Sequence, residues 1–384
     1  MRIGLLPRLI IGIIVGIILG SFMPEYFIRF LVTLRDIFGQ FLGYIIPFII
    51  IAFVAPGIAD LGKNAGKLLG ITTGLAYLST IVAGFSAFFI GKALLPSLVN
   101  AGTATNPEEG LLTGFFEIAI DPMMGVMTAL VTAFLFGIGM ATINNKYLYN
   151  VLTDFKDIIE KTIQSVIIPL LPFYIAAVFA NMTYAGEIVQ TMSTFIKVFV
   201  LIILLHTAYL FILYTVSGSV SGMNPIRALK NMLPAYFTAI GTQSSAATIP
   251  VTLGQTKKNN VSDDVADFAI PLCATIHLAG STITLVICSM AVLLISGLVP
   301  TLNTYTLFIF MLGITMVAAP GVPGGAVMAA LGLLELYLGF GETAQALMIA
   351  LYLTQDSFGT ACNVTGDGAI AMMVDKFNRM FKSA

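Results

Sequence analysis

Residues 355–376, QDSFGTACNVTGDGAIAMMVDK, carry two carboxylates, Asp356 and Asp367, and an amide, Asn363, inside an otherwise apolar run. Together with Thr360 they are spaced by four, three and four residues, which in a helix puts all of them on one face. Ionisable groups at bilayer depth cost several kcal/mol by most scales, so they persist where they face a partner, an ion or a water-filled cavity. A carboxylate such as Asp356 can hold an ammonium. Asp367 and Asn363 supply hard oxygens of the kind that bind Na⁺, with carbonyls of unwound helix completing the shell. The plainer reading is a stripe of structural hydrogen bonds. The cost of burying two carboxylates favours ligand and ion binding, and transport as the function.

Two turns carry compatible chemistry. In GTQSSAATIP (241–250), Ser244 and Ser245 offer hydroxyls, and a helix beginning there aims unpaired N–H groups at an anionic group such as a carboxylate. Serine is also a preferred cap, which is the plain alternative. In PGVPGG (320–325), small size and conformational freedom suit a mobile lid, although small residues also let membrane helices approach closely. His277, in PLCATIHLAGST, reads as a satisfied neutral donor that could titrate during transport; His206, in an apolar helix, is plainer still. A pairing of Ser244 or Ser245 with His277 as an intramembrane hydrolase lacks a third orienting group, and a channel lined by the polar stripe is opposed by the two gate-like turns.

The elements that must position these residues follow from composition. The chain is 58% hydrophobic and 10% charged over 384 residues, far more apolar material than one soluble core needs, and this predicts a polytopic membrane protein. Runs long enough to span, about 20 residues each, recur at 8–23, 38–58, 68–95, 122–143, 163–182, 192–217, 268–296 and 343–374. The first, behind Arg2 and Arg8, has no cleavage pattern and reads as a retained helix. With a cytoplasmic amino terminus, 14 basic residues fall inside and only Arg29, Arg35, Lys92 and Lys197 outside, so both termini are expected in the cytoplasm. The longest external connection is 96–121, with Asn106, Pro107, Glu108 and Glu109. Cys273, Cys288 and Cys362 have no paired spacing and suit buried thiols. A net charge of −1 implies no nucleic-acid partner.

Residues 225–256 and 303–338 do not read as simple spans. Each has two short helical runs about a turn, consistent with re-entrant hairpins whose tips line protein or water. Each is followed by a full span, and charge places the two hairpins on opposite sides, which predicts an inverted repeat with a binding site between the halves. The expected architecture is all-α, with eight transmembrane helices and two re-entrant hairpins. Residues 1–222 form mainly a scaffold, with the third and sixth spans contributing to the core, and residues 223–384 form the transport core.

GTQSSAATIP (241–250), ATIHLAGST (274–282), PGVPGG (320–325) and DSFGTACNVTGD (356–367) resemble, in order, four motifs of the dicarboxylate/amino acid:cation symporters. These are the first hairpin tip, the interrupted seventh span, the second hairpin tip and the eighth span. That family includes archaeal aspartate transporters and mammalian glutamate and neutral amino acid transporters. The resemblance implies a homotrimer of elevators in the plasma membrane of a prokaryotic cell, the amino-terminal spans holding the trimer while the hairpin core carries substrate across the bilayer. It places Ser244 and Ser245 on the substrate carboxylate, Val322 and Gly324 as a closing lid, Asp356 on the ammonium, and Thr360 and Asn363 as further contacts.

One departure from the family decides the substrate charge. Acidic-substrate members carry an arginine where this chain has Gly359, or alternatively where it has Gln243. Without a guanidinium, a second substrate carboxylate would be buried unpaired at a cost of several kcal/mol. Neutral amino acids are therefore expected, and the Ala279 and Asp356-Ser357 pattern further resembles bacterial serine/threonine:sodium symporters. Gly359 also leaves room for a larger neutral side chain. The resemblance implies one Na⁺ site at Asp367, Asn363 and the backbone of Cys273 and His277. A second lies on Thr275 and the backbone of Met316, Val317 and Ala319. A third is expected to be absent, since Ala279 stands for its aspartate, His277 for its asparagine and Ile81 for a serine, although Tyr77 and Thr80 remain. At most two Na⁺ are expected per substrate, without potassium countertransport. The alternatives are proton coupling through His277, or an acidic substrate.

Overall fold

The computed structural model describes residues 5–63, 67–99, 111–143, 146–186, 188–317, 319 and 323–382, and every regular element among them is helical. Asn106, Pro107, Glu108 and Glu109, and the tip residues Pro320, Gly321 and Val322, lie outside the described residues. The first half contains α1 (Leu5–Phe22), α2 (Glu25–Lys63), α3 (Lys67–Leu98), α4 (Val126–Thr142), α5 (Tyr147–Thr162), α6 (Ile168–Tyr184) and α7 (Ile188–Ser221). A π turn at Ile163–Ile167 joins α5 to α6. It lies just before Pro169 and Pro172, which lack the N–H that an α register would use, so the ladder widens there instead of breaking.

The second half contains α8 (Pro225–Thr242), α9 (Ser245–Lys257), α10 (Asp263–Ile276), α11 (Ala279–Ile295), α12 (Leu302–Met316), α13 (Gly325–Leu338) and α14 (Glu342–Lys382). Helices α8 and α9 pack against each other, as do α12 and α13, and no helix of the two pairs exceeds 18 residues. At about 1.5 Å per residue none reaches across a hydrocarbon core of about 30 Å. Five described runs are long and apolar enough to cross a membrane: Glu25–Ala59, Leu68–Leu98, Tyr147–Tyr184, Thr191–Ser221 and Asp263–Ile295. The expected spans at 8–23 and 122–143 coincide with α1 and α4, which are shorter. Helix α14 is ample in length, at 41 residues, but its polar stripe lowers its hydropathy.

Helices α8 to α11 and α14 pack together with α3 and α7, whereas α1 packs on α6 and α2 on α4, α5 and α6. The α1–α6 contact has a sequence cause. Gly12, Gly16 and Gly20 recur every four residues, and a Cβ at each would run into the carbonyl oxygens of Pro172, Ala176 and Ala180 respectively. Glycine lets the two backbones touch, a geometry suited to Cα–H···O contacts. Gly16→Leu is expected to cost about 1–3 kcal/mol or more by overpacking. The purified variant should therefore melt several degrees lower, and an unchanged midpoint would contradict the close crossing. Near the end of α14, Asp375 accepts from Ser262 Oγ, the residue before α10, and pairs with Arg379 at 2.7 Å. Lys257, ending α9, reaches Asp267 at 2.8 Å and Asp263 at 3.1 Å on α10.

Candidate functional site

The polar stripe lies on an unbroken stretch of α14, buried along its whole length: Asp356, Thr360, Asn363 and Asp367 are all at most 6% exposed. The hairpin tips converge on it. The α8–α9 turn brings Gln243 there in a left-handed conformation (φ 53°), a strain for a side-chain-bearing residue that is held by a hydrogen bond from its Nε2 to Ser357 Oγ at 2.8 Å. Ser244 follows in extended conformation and caps α9, its Oγ accepting from Ala247 N at 3.3 Å. From the other hairpin, Gly324 (φ +77°) donates its N–H to Asp356 Oδ2 at 2.7 Å. Glycine is needed there twice over, since the backbone is left-handed and a Cβ would lie 2.8 Å from Leu353 Cδ2.

Between the tips is a small cavity of about 30 Å³. Of the sequence-predicted residues it is lined by Gln243, Ser244, Ser245, Thr275, Ala319, Asp356, Thr360 and Asn363. Leu278 and Ser281, within the ATIHLAGST segment but not singled out in it, and Tyr352, outside the motifs, also line it. A space of that size holds one or two waters and no amino acid. Gly359 does not line the cavity. It backs onto α11, where an added Cβ would meet Thr284 Oγ1 at 3.6 Å and Ser281 Cα at 3.7 Å, ordinary contact distances.

The span between α10 and α11 is interrupted at His277 and Leu278. His277 N still bonds Cys273 O at 2.9 Å, ending α10, and Asn363 starts the next helix. Its Oδ1 accepts from Gly280 N at 2.7 Å and Ser281 N at 3.2 Å, while its Nδ2 donates to Ser281 Oγ at 2.9 Å. Asn363 therefore caps α11 from another helix, a use the motif alone does not reveal, and its side-chain oxygen is engaged there. The approach depends on Gly280, where a Cβ would lie 2.5 Å from both Gly359 O and Cys362 Cβ.

His277 and Asp367 form a pair: Nδ1 lies 2.9 Å from Oδ1 of the carboxylate, and Nε2 lies 2.9 Å from Ser79 Oγ on α3. A carboxylate facing Nδ1 sets the proton on that nitrogen. Ser79 in turn contacts Tyr209 of α7, so one buried chain links α14, the broken span, α3 and α7. The glycines beside Asp367 make room for it, since a Cβ at Gly366 would lie 2.7 Å from His277 Cε1 and one at Gly368 2.9 Å from Tyr214 Oη. Both His277 nitrogens have these partners, so the pairing of His277 with Ser244 or Ser245 that a hydrolase would use is not formed. Cys273 is buried beneath His277; Met316 and Val317 end α12, whose C-terminal carbonyls offer partial negative charge. Ile81 packs against Gly313, Tyr77 Oη donates to Phe310 O at 3.4 Å, and Thr80 Oγ1 bonds its own helix at Ala76 O. His206 Nε2 bonds Gly280 O at 2.9 Å.

Similarity to known proteins runs along nearly the whole chain. The family described as the Sodium:dicarboxylate symporter family matches it over residues 5–377. The serine/threonine transporter SstT of Acinetobacter baylyi (strain ATCC 33305 / BD413 / ADP1) is 25% identical over 374 residues, covering 90% of this chain and 90% of that relative.

Proposed function

The chain belongs to the sodium:dicarboxylate symporter family and is therefore a multi-pass membrane transporter and not an enzyme; on that premise we propose that it couples the uptake of small neutral amino acids, serine, threonine or alanine, to Na⁺. The observation that carries this reading is the charge of the cavity. Among its described lining residues Asp356 is the one carboxylate and there is no arginine or lysine, and the first turn of α9 presents N–H groups beside Ser244 and Ser245. That arrangement complements a zwitterion, with ammonium on Asp356 and carboxylate on the α9 terminus. A second carboxylate would have no counter-charge. The name of the similar serine/threonine transporter supports the same substrate class.

In this reading Thr360 and Asn363 complete the substrate shell, and Gly324 and Val322 belong to the lid. One Na⁺ binds at Asp367 with carbonyls of the broken span at Cys273 and His277 and of Asn363, and a second near Thr275 with carbonyls of Met316, Val317 and Ala319. Helices α8 to α14 with α3 and α7 form the moving body of an elevator, and the remaining helices anchor a homotrimer in the cell membrane with both termini cytoplasmic.

The test is thermal stabilisation of the purified protein by ligands. A ligand at about 100 times its dissociation constant stabilises by about 2.7 kcal/mol. L-serine, L-threonine or L-alanine should therefore raise the melting midpoint by several degrees in Na⁺ and not in choline, while L-aspartate should not. Stabilisation by aspartate and by none of the neutral amino acids would overturn the substrate assignment.

A further inference from the structure

Ser79 belongs to none of the four motifs, yet through it α3 reaches the broken span. It is buried, its Oγ lies 2.9 Å from His277 Nε2, and the other ring nitrogen lies 2.9 Å from Asp367 Oδ1. Its polar neighbours on α3 are engaged elsewhere, Tyr77 Oη with Phe310 O and Thr80 Oγ1 with Ala76 O. The hydrogens fall into one order. A carboxylate only accepts, so Nδ1 carries the hydrogen between the ring and Asp367, and Nε2 of the neutral ring accepts from Ser79. Tyr209 Oη is within bonding reach of both Ser79 O and Ser79 Oγ, so its hydrogen goes to Ser79 and that of Ser79 is left for the imidazole. The ring is held at both ends, and it lies so close to α14 that a Cβ at Gly366 would be 2.7 Å from its Cε1.

We infer that Ser79 is a positioning residue for the cation site at Asp367, acting through His277. This rests on the proposed role of Asp367 as a Na⁺ ligand. Groups behind a metal ligand fix its orientation, and losing one costs about 10–100-fold in metal affinity. Here the group behind the carboxylate is His277, and what aims His277 is Ser79. Without the Ser79 hydroxyl, Nε2 is a buried acceptor with no donor, and the ring relieves that cost by turning, which takes Nδ1 off Asp367. The carboxylate then loses its fixed orientation towards the carbonyls of Cys273 and His277. Ser79 is not among the described residues lining the substrate cavity, so its effect falls on the ion and not on the amino acid.

The experiment follows the melting midpoint of the purified full-length protein as NaCl replaces choline chloride at constant ionic strength, for the wild type, Ser79→Ala, Asp367→Asn and the double variant. The midpoint in choline reports packing, and the Na⁺ concentration that gives half of the full stabilisation reports the ion site. Ser79→Ala should raise that concentration about tenfold, the low end of the range for groups behind a metal ligand because Ser79 stands one step further from the ion. In the Asp367→Asn background it should add nothing, since the group it acts through is already gone. Where the alanine variant does not fold, Ser79→Cys keeps the volume, offers only a weak donor and is read in the same way. A lower midpoint in choline with the Na⁺ concentration moved by less than about threefold would mean that Ser79 serves packing alone, and would overturn the inference. So would a shift that multiplies with that of Asp367→Asn. An unmoved Ser79→Ala beside a shifted Asp367→Asn refutes this inference alone. An Asp367→Asn variant with wild-type Na⁺ dependence refutes the sodium site, and this inference with it.

Discussion

Asp356→Asn is expected to abolish uptake while leaving the protein folded. Asp356 is 5% exposed, and its Oδ2 takes the Gly324 N–H at 2.7 Å, an interaction the asparagine oxygen can reproduce. The lid contact and the packing of α14 therefore survive. What is lost is the only carboxylate among the described residues of the cavity wall, so a substrate ammonium entering there is buried without a counter-ion. Breaking a buried pair by removing one partner costs about 3–5 kcal/mol, and at about 1.4 kcal/mol per factor of ten affinity falls at least a hundredfold. Uptake at micromolar substrate should drop to background, with a melting midpoint equal to or above that of the wild type. Wild-type uptake by the variant would contradict the placement of the ammonium.

Asp367→Asn is expected to raise the Na⁺ concentration needed for half-maximal transport by tenfold or more. The site is tightly built: Asp367 is 1% exposed, Oδ1 is bonded to His277, and glycines on either side bring His277 and Tyr214 close. Asparagine fits this space and can still accept from His277 Nδ1, so the substitution removes the charge without opening a cavity. Serine binding at saturating Na⁺ should remain within a few-fold of wild type, separating an ion effect from collapse of the substrate site. An unchanged Na⁺ dependence would show that the coupling ion is held elsewhere. In the proposed sodium site the carboxylate that bonds His277 is also the ion's ligand, so ion dependence is the readout that bears on the proposal.

Much of the helical layout is legible in the sequence because it rests on local periodicity and punctuation. The apolar runs of membrane length fall on helical segments, the one at 268–296 broken at His277 and Leu278, and the turns at Gln243–Ser244 and at Pro323–Gly324 fall where small and polar residues interrupt short helical segments. The stripe at 356–367 is legible from spacing alone, although it also keeps α14 out of the set of strongly apolar helices. Pairings between distant segments are not legible. Asn363 as the cap of α11 joins residues more than 80 positions apart, and the Ser79–His277–Asp367 chain spans three helices. Nothing in local periodicity encodes such a contact. Tyr352 was hidden for another reason, since an aromatic residue among Leu351, Leu353 and Ala350 reads as packing until its hydroxyl is placed. Gly359, singled out because an arginine is missing there, turns out to back onto α11, and its lack of a side chain matters more for what it leaves uncharged than for any contact it makes.

The central claim is sodium-driven transport of a neutral amino acid, and its most direct test is uptake of labelled serine, threonine, alanine and aspartate into proteoliposomes. The gradient imposed is first Na⁺ inward, then a proton gradient without Na⁺. The account predicts concentrative uptake of at least one neutral amino acid under the Na⁺ gradient, no uptake of aspartate, and none under the proton gradient alone. Aspartate uptake would mean that another group replaces the missing guanidinium. Full-rate uptake without Na⁺ would contradict sodium coupling.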